Sequence, residues 1–110
     1  MISQKHKNNV SNISFQQVDS NVKANHWLFT ILSKFQKTII QELLKEKILV
    51  RPFWVPMNQL PMFKNDIYIT ESNISQDLYC KSISLPCSTS ITDDELLKTV
   101  NVINQTMSVL

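Results

Sequence analysis

Residues 25–50 read NHWLFTILSKFQKTIIQELLKEKILV, and the change of hydrophobic period along them decides the fold. In NHWLFTIL (25–32), Trp27, Phe29 and Ile31 fall on one side and Leu28 and Leu32 on the other. A two-residue repeat is a strand's, and apolar residues on both sides predict a central strand covered on both faces. At Ser33 the pattern changes. Ser33 and Gln36 have the S-x-x-Q spacing of a capping box, in which the hydroxyl accepts from an orphan N–H and the amide side chain returns the bond. A helix is predicted from there, with Phe35, Ile39, Ile40, Leu43 and Leu44 inward and Lys45 and Lys47 near its negative C-terminal end. ILVRPF (48–53) follows as a second extended segment, because a residue before proline, here Arg51, is biased away from helical geometry.

Toward the N-terminus, ISFQQV (13–18) alternates Ile13 and Phe15 with polar neighbours, as a half-buried strand does. DSNVKAN (19–25) reads as a loop, and residues 1–11 as a polar tail or the remnant of an upstream helix. Toward the C-terminus, Pro52, Pro56 and Pro61 exclude regular structure and predict a shaped loop. SNISQDLYCKS (72–82) allows about two helical turns with Ile74 and Leu78 inward, and SISLP (82–86) a short strand. CSTS (87–90) is a turn. Thr92 and Glu95 supply a second capping box for a final helix with Leu96, Val100, Ile103 and Met107 on one face. The order predicts an α+β fold: a short, mostly antiparallel sheet packed by two main helices.

The bulk properties agree with one domain. The chain has 110 residues, 43% of them hydrophobic, and a formal net charge of +2, which suits a globular chain with one modest core. That charge is too small, and its lysines too dispersed, to argue for nucleic acid. The apolar runs are far shorter than the roughly 20 residues that span a bilayer, and MISQKHKNNV lacks the apolar core of a secretory signal. A cytoplasmic protein is expected, away from the membrane. Cys80 and Cys87 have neither a zinc nor a CxxC spacing and read as reduced, partly buried thiols. The absence of any glycine is unusual, since average usage is about 7%; a biased genome or glycine-rich loops in another part of a longer protein would each explain it.

Most candidate chemistry has a plain structural explanation. His6 lies in the polar tail, His26 beside Trp27 suits a satisfied imidazole, and Asp93 and Asp94 suit the first turn of a helix. Ser88, Thr89 and Ser90 could meet a phosphate but equally suit a turn. The exception is RPFWVPMNQLPMF (51–63), which holds the sole arginine, Trp54 and three of the four prolines. A guanidinium on a stiffened loop can offer a bidentate fork to a phosphate or carboxylate. The same residues would also serve as an edge cover, with Arg51 over Trp54 as a cation–π pair. The residues alone leave both open.

The succession NHWLFTIL, an amphipathic helix, ILVRPFWVPMNQLPMF, then LPCSTSIT and DDELLKTVNVI resembles the C-terminal part of DegT/StrS-type aminotransferases, over roughly residues 12–105. The resemblance implies that 12–110 is the small C-terminal α+β domain of a fold-type-I aminotransferase whose large cofactor-binding domain is absent. It implies an enzyme that uses pyridoxal phosphate to move an amino group, from glutamate, to a keto sugar nucleotide for surface polysaccharide or amino-sugar synthesis, and that is a homodimer when complete. It implies no cofactor and no catalytic residue for this chain alone, since none of its ten lysines lies in a segment resembling the Schiff-base site. Carried over by position, Asn25, His26 and Trp27 fall near the cleft, and Arg51, Trp54 and Asn58 fall on a loop that approaches sugar nucleotide or amino donor. Two positions depart from the family: PMN at Asn58 where PMH is frequent, which removes a titratable group, and Lys47 where many relatives have glycine, which predicts a less tightly turned helix end. A non-catalytic α+β interaction module derived from this fold is the other reading.

Overall fold

A computed structural model describes residues 12–110; the N-terminal tail with His6 lies outside them. In chain order the elements are β1 (Ser14–Phe15), β2 (Phe29–Leu32), α1 (Gln36–Lys45), α2 (Ile74–Lys81), β3 (Ser82–Leu85) and α3 (Asp93–Ser108), with single 3-10 turns at Met57–Gln59 and Pro61–Phe63. The three strands form one antiparallel sheet, β1-β2-β3. Phe29 faces Leu85, Ile31 faces Ile83 and Leu32 faces Ser82, and β1 joins through Ser14 to Leu32 and Phe15 to Ile31.

The α+β class and the central place of β2 agree with the sequence. One face of the sheet presents Ile31, Ile83 and Leu85 to α1 and α3, which pack on each other and add Ile39, Leu43 and Ile103 to the core. Burying a side chain such as Leu43 is worth about 1.5–3 kcal/mol. The other face is not the apolar layer expected: there Thr30 and Ser84 meet hydroxyl to hydroxyl at 3.2 Å.

Several expectations are corrected. The strand expected over 25–32 begins only at Phe29, because His26 takes a left-handed φ of 53°. The strand expected over 13–18 keeps Ser14 and Phe15 alone. The capping box at Ser33 does not form. Ser33 Oγ accepts from the Phe35 N–H at 3.1 Å, and Gln36 turns inward, where Nε2 donates to the carbonyls of Tyr79 and Ser82, each at 2.7 Å. The glutamine that reads locally as a cap is thus a tertiary tie. Leu44 is exposed at the margin of the α1 face, and Ile74 and Leu78 of α2 point outward. The segment ILVRPF forms no strand of its own: it meets β3 through one backbone bridge, Arg51 to Ser84, and through the Phe53 N–H, which donates to the Ser82 hydroxyl.

The end of α1 reverses the expectation at Lys47. Its φ of 61° is left-handed, the Lys47 N–H donates to the Leu44 carbonyl, and the Ile48 N–H reaches back to Leu43, both at 3.0 Å. That is the paired 5→2 and 6→1 pattern of a Schellman motif, with Ile48 and Leu43 in apolar contact in the core. A tight end forms without glycine, at a conformational cost to the lysine. By contrast, α3 starts as read from the sequence: the Thr92 hydroxyl accepts from the Glu95 N–H at 3.2 Å and the Glu95 carboxylate accepts from the Thr92 N–H at 2.8 Å. On α3, Thr99 and Thr106 are buried by donating to the carbonyls four residues back, Glu95 and Val102.

Candidate functional site

The two segments singled out in the sequence meet at the exit end of β3. The turn before β2 projects Trp27, and the chain after α1 runs along the outer side of β3, where the Ser84 N–H donates to the Arg51 carbonyl at 2.8 Å. Pro52 cannot donate to a ladder, so pairing ends there and the chain turns to present Phe53 and Trp54. Trp27 and Trp54 face each other with ring centroids 6.4 Å apart at 45°, and Phe53 lies 4.8 Å from Trp54. Both separations suit tilted aromatic pairs. Trp27, Arg51, Pro52, Trp54 and Ser84 are among the residues that line one open groove of about 310 Å³.

Trp27 stays 70% exposed and Trp54 64%, so the rings are held by each other and by the backbone rather than by burial. The Trp27 turn is fixed at two points: Asn25 Oδ1 accepts from the Trp27 N–H at 3.1 Å, and Cys87 Sγ–H donates to the Trp27 carbonyl at 3.2 Å. Arg51 is exposed and makes no side-chain hydrogen bond, ion pair or cation–π contact among the described residues. The edge-cover alternative, with Arg51 lying over Trp54, is therefore not adopted; Trp54 pairs with other aromatics instead. The donors of the guanidinium are unengaged among the described residues.

The six residues named from the sequence divide into three groups. Trp27, Arg51 and Trp54 share the groove. Asn25 and His26 line another hollow of about 740 Å³ that also borders Trp27, and Asn25 is occupied in shaping the turn. Asn58 stands apart in the first 3-10 turn, where its Oδ1 is closed off from solvent without a hydrogen-bond partner among the described residues. The sequence did not point to Gln36, Ser82 or Cys87, whose contributions are made across 29 to 60 residues of chain and leave no local pattern.

The described lysines do not make a cofactor site. Lys81 is half-buried and paired with Asp77 at 2.9 Å; the others lie exposed on the surface, and none lines the groove. A Schiff-base lysine works from a desolvated pocket, and these residues do not fit that role. Among the described residues no cluster of His, Cys, Asp or Glu could hold a metal ion, and no helix is long and apolar enough to cross a membrane. Cys80 and Cys87 are free thiols; Cys87 is half-buried as expected, whereas Cys80 is exposed.

The family model for DegT/DnrJ/EryC1/StrS aminotransferases matches residues 4–104. EpsN of Bacillus subtilis, which carries the name of a pyridoxal phosphate-dependent aminotransferase, is 30% identical over 88 residues, 73% of this chain and 22% of its own length. Among solved structures, Helicobacter pylori PseC, an aminotransferase involved in the biosynthesis of pseudoaminic acid, superposes with a TM-score of 0.66 at 24% identity, covering 76% of this chain and 24% of that one. S. venezuelae DesV gives a TM-score of 0.82 at 14% identity over 91% of this chain and 28% of its own. At such identities the structural likeness speaks for the fold, and the chain spans about a quarter of the length of these relatives. With the family model matching nearly the whole sequence and the fold shared with solved aminotransferases, the chain belongs to the DegT/DnrJ/EryC1/StrS aminotransferase family.

Proposed function

We propose that this chain is the small C-terminal domain of a sugar-nucleotide aminotransferase and contributes one wall of its substrate site. The observation that carries the reading is the groove that brings Trp27, Arg51 and Trp54 together with the guanidinium unengaged. Flat aromatic rings beside a fixed fork of N–H donors suit a ligand that joins planar or apolar surface to a phosphate or carboxylate. A sugar nucleotide has both, and the carboxylate of an amino donor such as glutamate has the second. EpsN, named a pyridoxal phosphate-dependent aminotransferase, and PseC, an aminotransferase involved in the biosynthesis of pseudoaminic acid, point the same way.

In the complete enzyme, pyridoxal phosphate supplies the electron sink for amino transfer. Because the lysines described do not fit its site, we assign the cofactor to the large domain that the longer relatives contain, and dimer formation to the complete enzyme. The role of this chain is to bind and orient. Arg51 contacts an anionic group of substrate or donor, Trp27 and Trp54 flank it and limit access of water, and Asn25 sets the angle of Trp27. Asn58 is set aside here, since it does not line the groove and carries no titratable group. The free thiols suit a reducing, cytoplasmic setting.

A charge-assisted contact from Arg51 is worth about 1.5–3 kcal/mol. With this chain joined to a cofactor-binding large domain, Arg51→Lys keeps the charge but loses the fork, and KM for the sugar nucleotide or for the amino donor should rise roughly tenfold or more. Unchanged kinetics would reduce Arg51 to a surface residue. A non-catalytic interaction module derived from the same fold is the second reading, favoured by the misfit of the described lysines. It predicts no transamination when the chain is combined with such a large domain and pyridoxal phosphate.

A further inference from the structure

Ser82 is 2% exposed, on a strand next to a helix, and its hydroxyl accepts from the Phe53 N–H at 2.9 Å. The register explains why a side chain is needed for that bond. Arg51 is bridged to Ser84 in an antiparallel sense, so two residues further on Phe53 lies opposite Ser82, where a regular ladder would send the Phe53 N–H to the Ser82 carbonyl. That carbonyl is already taken by Gln36 Nε2 at 2.7 Å, and the Ser82 N–H closes α2 on the Leu78 carbonyl. With the carbonyl turned to Gln36 and the N–H to α2, the hydroxyl takes the place of the ladder acceptor. It catches the chain one residue after Pro52 has broken the pairing and one residue before Trp54.

We infer that Ser82, seated by Gln36, is the positioning residue of the candidate site: its hydroxyl fixes the backbone at Phe53 and thereby the angle at which Trp54 meets Trp27 beside Arg51. The inference rests on the proposed binding role of that groove for its functional meaning, but its structural content stands apart. Nothing else in the described structure holds the Phe53 N–H, and the rings it places are too exposed to be held by packing. An unmet N–H at a half-covered position costs more than the bond contributes, so the loop would give way before the strand does.

Amide hydrogen exchange on the 110-residue chain tests this. In the unaltered protein Phe53 lies outside every strand yet should exchange at least tenfold more slowly than Trp54 and Val55, for which no such acceptor is seen. Equal rates at the three amides would overturn the proposal, whatever the behaviour of variants. In Ser82→Ala, protection at Phe53 should fall roughly tenfold and the near-ultraviolet circular dichroism of the two tryptophans should weaken. Thr106→Val is the control, as it also removes a buried hydroxyl but lies on α3; it should lower stability and leave both signals in place. If both variants alter the loop equally, or if Ser82→Ala folds with both signals unchanged, Ser82 is an ordinary core hydroxyl. In the complete enzyme Ser82→Ala should raise KM more than it lowers kcat. If Arg51→Lys leaves kinetics unchanged while Phe53 protection depends on Ser82, the binding role fails and the positioning survives.

Discussion

Two halves of this small domain carry similar amounts of apolar sequence and treat it in opposite ways. In the first, made of α1, α3, β2 and β3, Ile31, Ile39, Leu43 and Ile83 are almost wholly removed from solvent. In the second, from Trp54 to Leu78, Met57, Met62, Ile67, Ile69 and Ile74 stand mostly exposed, Ile67 at 92% and Ile69 at 87%. The second half is ordered by local polar bonds instead. The Asn73 N–H donates to Thr70 Oγ1 at 2.9 Å, Tyr68 Oη–H to Asn73 Oδ1 at 3.2 Å, and Gln59 reaches Gln76 side chain to side chain. The difference separates what makes this chain fold from what it leaves on its surface; the relatives it matches are about four times its length. Exposed apolar area on this scale is characteristic of a contact surface.

The largest effect that would break this comparison is a matched pair of truncations. Leu43→Ala should cost about 2–5 kcal/mol, because the site lies between two helices and a sheet and can collapse only in part. Ile67→Ser should stay within about 0.5 kcal/mol in the isolated chain, as surface changes do. Urea unfolding of the two variants decides it. Comparable losses would mean that the second half is part of the cooperative core, and its exposed residues would need another account.

The halves also differ in how far they can be read from sequence. Period carries the first: β2 against α1, the face of Ile39 and Leu43, and the capping box at Thr92 all follow from spacing. Misreadings there concern single residues with two local options. Gln36 fits a cap and a tertiary tie equally well in sequence, and only the carbonyls of Tyr79 and Ser82 decide between them. His26 looks like a strand residue until the Asn25 side chain closes a turn on Trp27. In the second half apolar residues do not mean inside, so Ile74 and Leu78, spaced as a helix face, were expected inward and are not. The groove is intermediate. Arg51 and Trp54 are neighbours in sequence, but their meeting with Trp27 depends on antiparallel register, and the hydroxyl of Ser82 that holds them there has no sequence signature.

A medium effect sharpens the contrast at the two positive-φ positions that punctuate helices, one in each half. Lys47 ends α1 with φ 61°, and Asn73 precedes α2 with φ 53°. A left-handed lysine costs about 1–2 kcal/mol, partly offset in Lys47→Gly by the greater freedom of unfolded glycine, so that variant should gain about 0.5–1 kcal/mol. Asn73→Gly should be close to neutral or worse, since asparagine tolerates this region and its side chain accepts from Tyr68. Thermal unfolding of the two variants measures both. A gain at Asn73 equal to that at Lys47 would show that the turn before α2 is strained rather than held by its side chains.

The smallest effect concerns how the two helices outside α1 begin. Helix α3 starts with a reciprocal capping box, whereas α2 starts at Asn73 with no side-chain cap bond. In the box, the Thr92 N–H and then the Thr92 hydroxyl hold the Glu95 carboxyl below its usual range. A group whose pKa is lower folded than unfolded contributes stability above its unfolded value and loses it as pH falls through the folded one. The start of α3 should therefore loosen as acid protonates Glu95. Because Glu95 is fully exposed, the slope it adds is small, and Glu95→Gln isolates it: glutamine can still accept from the Thr92 N–H but does not titrate. Denaturant midpoints of the two proteins should run parallel at neutral pH and converge as pH drops below the carboxylate range. Curves that stay parallel throughout would mean that the Thr92–Glu95 bond does not favour the ionised form, and that α3 owes its start to hydroxyl capping alone.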